Sequence, residues 1–426
     1  MAITLMLILF VLFLVLGIPV AHTLGIVSLL FVMANSFPLS LLSQRMFVGM
    51  DSFPLMALPL FLLAGNLMNT GGVTDRLWKF ARTIIGFIPG GMGHVSVLSS
   101  MLFASMSGSA LATAGGLGPI QIKGMVEDGF RKDTAAAITA AASTIGPIIP
   151  PSIVFVLYGV LGGISVGKLF LAGVVPGILM GLSLMGYVLF LAFTKREQLI
   201  VRPFPDGKAF LDALKDGILP LLSPIIILGG ILGGVFTPTE AAAVASAYSL
   251  FLGFLYREMD LKSLFSVLKD TARTSASIML IIGFASSFSW LLTSSGASRL
   301  FVSFVLGAGV SRTVILILLN LALLIVGCFV ETNSAVVLLT PLLVPAMTAV
   351  GIDPVHLGII LCVNLLIGIL TPPMGMAIYV VSKVASVPFH QIVRSVIPLI
   401  GCLVVVQLIV TFIPQVSLFL PNLLMR

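Results

Sequence analysis

The sequence predicts an all-α polytopic membrane protein built from two related halves, and three observations carry that prediction. The 426 residues are 59% hydrophobic and 9% charged, with a mean hydropathy of +1.21, whereas soluble domains are about 45–50% apolar and about 25% charged. In Ser143-Thr-Ile-Gly-Pro-Ile-Ile-Pro-Pro-Ser152 an apolar run is interrupted by three prolines and a glycine, which remove backbone donors and break a helix. The interruption returns at Ile367-Gly-Ile-Leu-Thr-Pro-Pro-Met-Gly375. At the spacing from Pro150 to Pro372, 222 residues, register holds through Pro119/Pro341, Gly129/Gly351, Gly146/Gly368, Pro151/Pro373 and Pro176/Pro398. In hydrocarbon a freed carbonyl is costly, so such a break survives only where it is buried in protein or lines a wet cavity. Paired broken helices in matching positions point to the central binding site of a secondary transporter.

Each element follows from the pattern. Residues 3–20 and 21–36 read as two helices broken at Gly17 and Pro19. The first lacks a basic leader and runs straight into more apolar chain, so it reads as a retained span rather than a cleaved signal peptide. A polar link at 35–51 leads to a span at about 53–70, and 74–88 read as an amphipathic helix at the membrane interface with Trp78 as its anchor. The stretch 93–125 is too long for one span and too polar at its centre, Ser105-Met-Ser-Gly-Ser-Ala110. It predicts a re-entrant helical hairpin over about 93–126 with the serines at its tip. A broken helix at about 134–162 and a closing span at 169–194 complete a first repeat, 1–195.

A polar, basic linker at 196–217, amphipathic around Phe210-Leu-Asp-Ala-Leu-Lys215, leads to the second repeat, 218–426, and Lys195-Arg196-Glu197 reads as a solvated span end. Helices at 218–236 and 240–256 are broken at Thr237-Pro238, with Thr239 as cap and Glu240 in the first turn. A span at about 273–293, a hairpin at about 312–349 with Glu331 at its tip, a broken helix at about 355–383 and a closing span at about 393–420 follow.

The net charge of +7 lies almost wholly in short loops, where basic residues set orientation, so it is no signal for nucleic acid. With the N-terminus outside, all 22 basic residues except Arg45, Lys168, Arg299, Arg312 and Arg426 fall in the cytoplasm. This orientation makes the repeats inverted, with both termini outside and the hairpins entering from opposite faces. Cys328, Cys362 and Cys402 sit in apolar segments as small buried hydrophobes, and no Cys, His or acid has transition-metal spacing. No Walker sequence is present, so the chain should not hydrolyse ATP. Ser107-Gly-Ser109 has no assignable His and acid, which argues against a hydrolase or any enzyme.

Hairpin tips meeting helix breaks at mid-membrane offer main-chain and hydroxyl oxygens to Na⁺ and half-helix N-termini to a carboxylate. The first cation site is placed at Ser105, Ser107, Gly108 and Ser109 with Gly146, Ile148 and Pro150. The second is placed at Gly327 and Thr332 with Gly368, Thr371 and Met374. Ser107, Ser109, Thr144, Glu331, Thr332 and Asn333 are the candidates for substrate. Each has a plainer alternative. Small residues let membrane helices pack closely, and an acid such as Glu331 can cap the arm that follows it.

Several stretches together resemble the large membrane subunit of TRAP transporters, the DctM-like family: Gly327-Cys-Phe-Val-Glu-Thr-Asn-Ser334, Gly368-Ile-Leu-Thr-Pro-Pro373, Ile145-Gly-Pro-Ile-Ile-Pro-Pro-Ser-Ile153, Gly234-Val-Phe-Thr-Pro-Thr-Glu-Ala241 and the Ser-Gly-Ser-Ala tip at 107–110. The resemblance covers essentially the whole chain, with one departure in the glycine-rich run at 111–118. It implies an elevator-type, Na⁺-coupled importer of an organic acid (a dicarboxylate, sialic acid or another sugar acid) in the bacterial inner membrane; the charge plan puts both termini in the periplasm. It also implies two partners, a small membrane subunit and a periplasmic substrate-binding protein. Three alternatives stay open: an H⁺-coupled transporter working through Glu331 without a binding protein, an anion channel on the same hairpins, and a non-transporting scaffold.

Overall fold

The helix bounds repeat with the sequence. The computed structural model describes residues 2–194, 197, 199–200, 203–296, 309 and 311–425, with side chains described except at 2–4, 7, 15, 104–107 and 209. Among the described residues there are 19 α-helices and no strand. The first half runs α1 (Ala2–Val15), α2 (Val20–Ala34), α3 (Ser40–Met50), a short 3₁₀ turn (Phe53–Met56), α4 (Ala57–Thr70), α5 (Val73–Ile85), α6 (Gly91–Ser107), α7 (Ala110–Glu127), α8 (Lys132–Ser143), α9 (Ile153–Gly162) and α10 (Val166–Phe193). The second runs α11 (Gly207–Leu232), α12 (Pro238–Leu255), α13 (Leu261–Ser294), α14 (Arg312–Phe329), α15 (Thr332–Ala349), α16 (Pro354–Gly368), α17 (Met376–Ala385), α18 (Phe389–Phe412) and α19 (Gln415–Leu424). Shifted by 222 residues, α7 coincides with α15 at both ends, and α6 and α8 meet the bounds of α14 and the start of α16 to within a residue. Among the described residues, seven helices, both arms of the second hairpin among them, are long and apolar enough to cross a bilayer. The chain is a multi-pass membrane protein.

Two groups of helices pack against each other. In one, α4 lies along α12 and α13, α2 and α3 lie on α13, and α5 lies on α11. Hydroxyls and amides stitch it together: Ser246 Oγ donates to Leu60 O (2.6 Å), Asn66 Nδ2 to Thr271 Oγ1 (2.9 Å) and Ser287 Oγ to Leu42 O (3.1 Å). Such bonds substitute for the hydrophobic drive that lipid cannot supply between helices. The other group holds α6–α10 and α14–α19. Here the halves exchange partners, α7 on α17 and α15 on α9, α8 on α18 and α10 on α16. The exchange is reciprocal under the same 222-residue shift.

Several expectations are corrected. The link at 35–51 contains α3, which seats on α13 where the missing side chain of Gly49 admits Ser286. Trp78 is no interfacial anchor. It is 6% exposed, its ring packed on Gly124 of α7. The linker is shorter than its composition suggests, because α11 begins at Gly207 and carries the amphipathic stretch straight into the span. The last span is two helices. Pro414 has no amide N–H to donate and disfavours helix at Ile413, so the chain turns there and α19 packs back on α10. Thr237, not Thr239, caps α12, with Glu240 closing a capping box, while Thr239 Oγ1 donates to Phe53 O at 3.3 Å. Glu197 is buried rather than solvated, its carboxylate accepting from Arg131 N and Thr134 Oγ1, both at 2.8 Å, at the N-terminus of α8. Lys195, Arg196, Arg202, Arg299 and Arg426 of the charge plan lie outside the described residues.

Candidate transport site

The first hairpin turns at Gly108, whose φ of +58° suits glycine. Ser109 then caps α7, its Oγ accepting from Ala112 N (3.4 Å) while its carbonyl accepts from Thr113 Oγ1 (2.8 Å). This tip rests on the first break. A side chain at Gly108 would meet Pro151 O and Ile153 N, and one at Gly146 would meet Thr113 Oγ1 at 3.2 Å. After α8 the chain winds through loose turns from Thr144 to Ser152, and Ser152 restarts the helix as cap of α9, its Oγ also bonded to Pro147 O. The whole stretch is buried apart from partial exposure at Ile149.

The second hairpin and break meet more tightly. Gly327 and Gly368 press backbone on backbone, and a Cβ added to Gly368 would lie 2.5 Å from Gly327 Cα. Glu331 caps α15, accepting from Ser334 N (3.0 Å), Ser334 Oγ (3.3 Å) and Asn333 Nδ2 (2.8 Å). Both breaks carry a cis Pro–Pro bond, Pro150–Pro151 and Pro372–Pro373.

All four pieces border one tight cleft, with free space of about 20 Å³, room for a single water. Its walls are Ser109 to Leu111 of the first tip, Glu331 to Asn333 of the second, Pro147 and Val154 around the first break, and Leu366 and Ile369 at the second. The N-termini of α7, α9 and α15 therefore face one space. The aligned dipoles of these N-termini favour an anion, while the C-terminal carbonyls of α16 favour a cation.

The family model for the DctM component of tripartite ATP-independent periplasmic transporters matches residues 7–416. The chain belongs to this family. It is a transporter's permease component and not an enzyme. It is 44% identical to the sialic acid TRAP transporter large permease protein SiaM of Vibrio cholerae, over 96% of this chain and 95% of that one. It is 39% identical to the C4-dicarboxylate TRAP transporter large permease protein DctM of the same organism, over 100% and 98% of the two chains. Among solved structures it resembles the Alcanivorax borkumensis YdaH transporter, with a TM-score of 0.62 at 14% identity over 87% of this chain and 86% of that one. That likeness is one of fold.

For this DctM component the candidate residues fall into three sets. Ser109, Glu331, Thr332 and Asn333 line the cleft. Gly108, Gly146, Gly327 and Gly368 form the tip-to-break contacts behind it, whereas Pro150 is buried within the first break and Ile148 packs on Gly173 and Gly177 of α10. Three others are not brought to it. Thr144 Oγ1 and Thr371 Oγ1 donate back to their own turns, to Ala141 O (2.7 Å) and Ile367 O (3.0 Å), and Met374 is 48% exposed away from the lining. Ser105 and Ser107 end α6, and their side chains lie outside the described residues. Among the described residues no three His, Cys, Asp or Glu side chains converge. The apolar walls Val154, Leu366 and Ile369 went unread, since apolar residues in an apolar helix carry no signal. In the glycine-rich run of α7, Gly116 and Gly118 give room to Asn69 and Val384.

Proposed function

We propose that this chain is the membrane permease of a three-component importer that carries a small organic anion across the bacterial inner membrane together with Na⁺. It works with a small membrane subunit and a periplasmic binding protein, and both of its termini face the periplasm. One observation carries the reading: both hairpin tips and both helix breaks border a single cleft, with three helix N-termini turned toward it. The relatives named for sialic acid and C4-dicarboxylate support an organic acid.

The cleft also holds the Glu331 carboxylate. With that carboxyl ionised, an anion entering beside it meets like charge unless a cation accompanies it, and we take Na⁺ to be that cation. In the cycle we propose, Na⁺ orders the tips, the anion binds between them, and α6–α10 with α14–α19 slide as one body against α1–α5 and α11–α13. An open cleft with about 490 Å³ of free space near Pro54, Val166 and Phe236 leaves room between the two groups. A ligand shifts such an equilibrium only through its differential affinity for the states. Replacing Na⁺ by choline should therefore weaken substrate binding to the purified two-subunit complex about tenfold or more. Calorimetry checks this, and equal affinity in the two salts would remove the coupling. The second reading, H⁺ coupling, rests on Glu331 lining the same cleft.

A further inference from the structure

The second half carries a buried polar knot that the first half lacks. Asn320 of α14, Asn364 of α16, and Gln407 and Thr411 of α18 are 9%, 3%, 3% and 1% exposed. Three donors converge on one oxygen: Asn320 Oδ1 accepts from Asn364 Nδ2 (2.8 Å), Gln407 Nε2 (2.7 Å) and Thr411 Oγ1 (3.1 Å). Asn320 Nδ2 donates to Leu316 O of its own helix (2.7 Å), whereas Gln407 Oε1 is buried without a partner. At 222 residues' remove the first half has Leu98, Ala142, Met185 and Leu189. Apolar side chains thus fill the matched positions in the same helices, so packing alone does not call for amides, and burying them costs free energy unless they are bonded.

The knot's place suggests its use. Asn364 is one turn before Gly368, about 6 Å along the helix. Gly327, on the same helix as Asn320, presses on Leu365 and Gly368. The two helices that meet at the second break are thereby tied to α18 directly behind it. We infer that Asn320 is a positioning residue, whose carbonyl locks α14, α16 and α18 so that the backbone oxygens at 365–371 hold a fixed arrangement. The consequence for ion affinity rests on the Na⁺ reading above, whereas the fixed backbone does not.

The test compares Asn320→Leu, the side chain already present at position 98, with Asn320→Asp, which keeps the accepting oxygen, both in the full chain with its small partner. Hydrogen exchange at 365–371 should quicken about tenfold or more in the leucine variant, stay unchanged at 143–149, and return toward parent rates in the aspartate variant. The Na⁺ concentration for half-maximal uptake should rise about fivefold in the leucine variant alone. Unchanged exchange at 365–371, or equal loosening at both breaks, overturns the proposal. Loosened exchange with an unshifted Na⁺ requirement overturns its link to the ion site. Uptake by the parent that ignores Na⁺ strikes the Na⁺ reading instead, and the exchange comparison still decides the knot. Should Asn320→Leu fail to fold, Gln407→Met removes one donor and takes the residue of position 185.

Discussion

Gly368→Leu should abolish uptake, and Gly368→Ala should reduce it severely while costing about 1–3 kcal/mol of stability, the usual range for overpacking. The reason is steric. A Cβ at 368 would stand 2.5 Å from both Cα and carbonyl carbon of Gly327, and backbone cannot swing aside as a flexible side chain can. The second hairpin and the second break must then part, and the cleft loses a wall. Gly401→Ala is the control, since its Cβ meets nothing within 4 Å. Thermal melts with uptake assays on the three variants would decide it. A Gly368→Leu protein that melts and transports like the parent would show that the close contact is dispensable.

Glu331→Ala should cut uptake about tenfold or more and cost about 0.5–2 kcal/mol, the range for losing an N-cap. It leaves the Ser334 amide, the Ser334 hydroxyl and Asn333 Nδ2 without their acceptor at the tip facing the cleft. Glu331→Gln retains one accepting oxygen and should recover most of the stability. The glutamine variant also separates the two coupling schemes. Under Na⁺ coupling its pH profile keeps the parent's shape, whereas under H⁺ coupling through Glu331 the pH dependence vanishes.

The parts legible in the sequence are those where a helix must stop. Proline and glycine at matched positions located both breaks, and polar residues inside apolar runs located both tips, so the bounds of α6–α9 and α14–α17 fall close to the expected ones. What escaped depends on partners distant in sequence. Glu197 looks like a surface acid until α8 is placed beside it, and Trp78 looks like an anchor until Gly124 is seen to receive its ring. Ser40–Met50 looks like a link until α13 gives it a surface to lie on. Thr144 and Thr371 belong to the right segments, but a threonine hydroxyl in a helical turn finds its own carbonyl first. The amides at 320, 364 and 407 did leave a signal: the residues matched to them in the first half, Leu98, Ala142 and Met185, are all apolar.

The central claim is Na⁺-driven import through a three-component system. Its most direct test is uptake of a radiolabelled organic acid into proteoliposomes holding this chain and its small partner, with the cognate binding protein outside and an inward Na⁺ gradient. The account predicts accumulation above equilibrium that disappears when either Na⁺ or the binding protein is withdrawn. Accumulation without the binding protein, or equilibration with no accumulation under a full gradient, would contradict it.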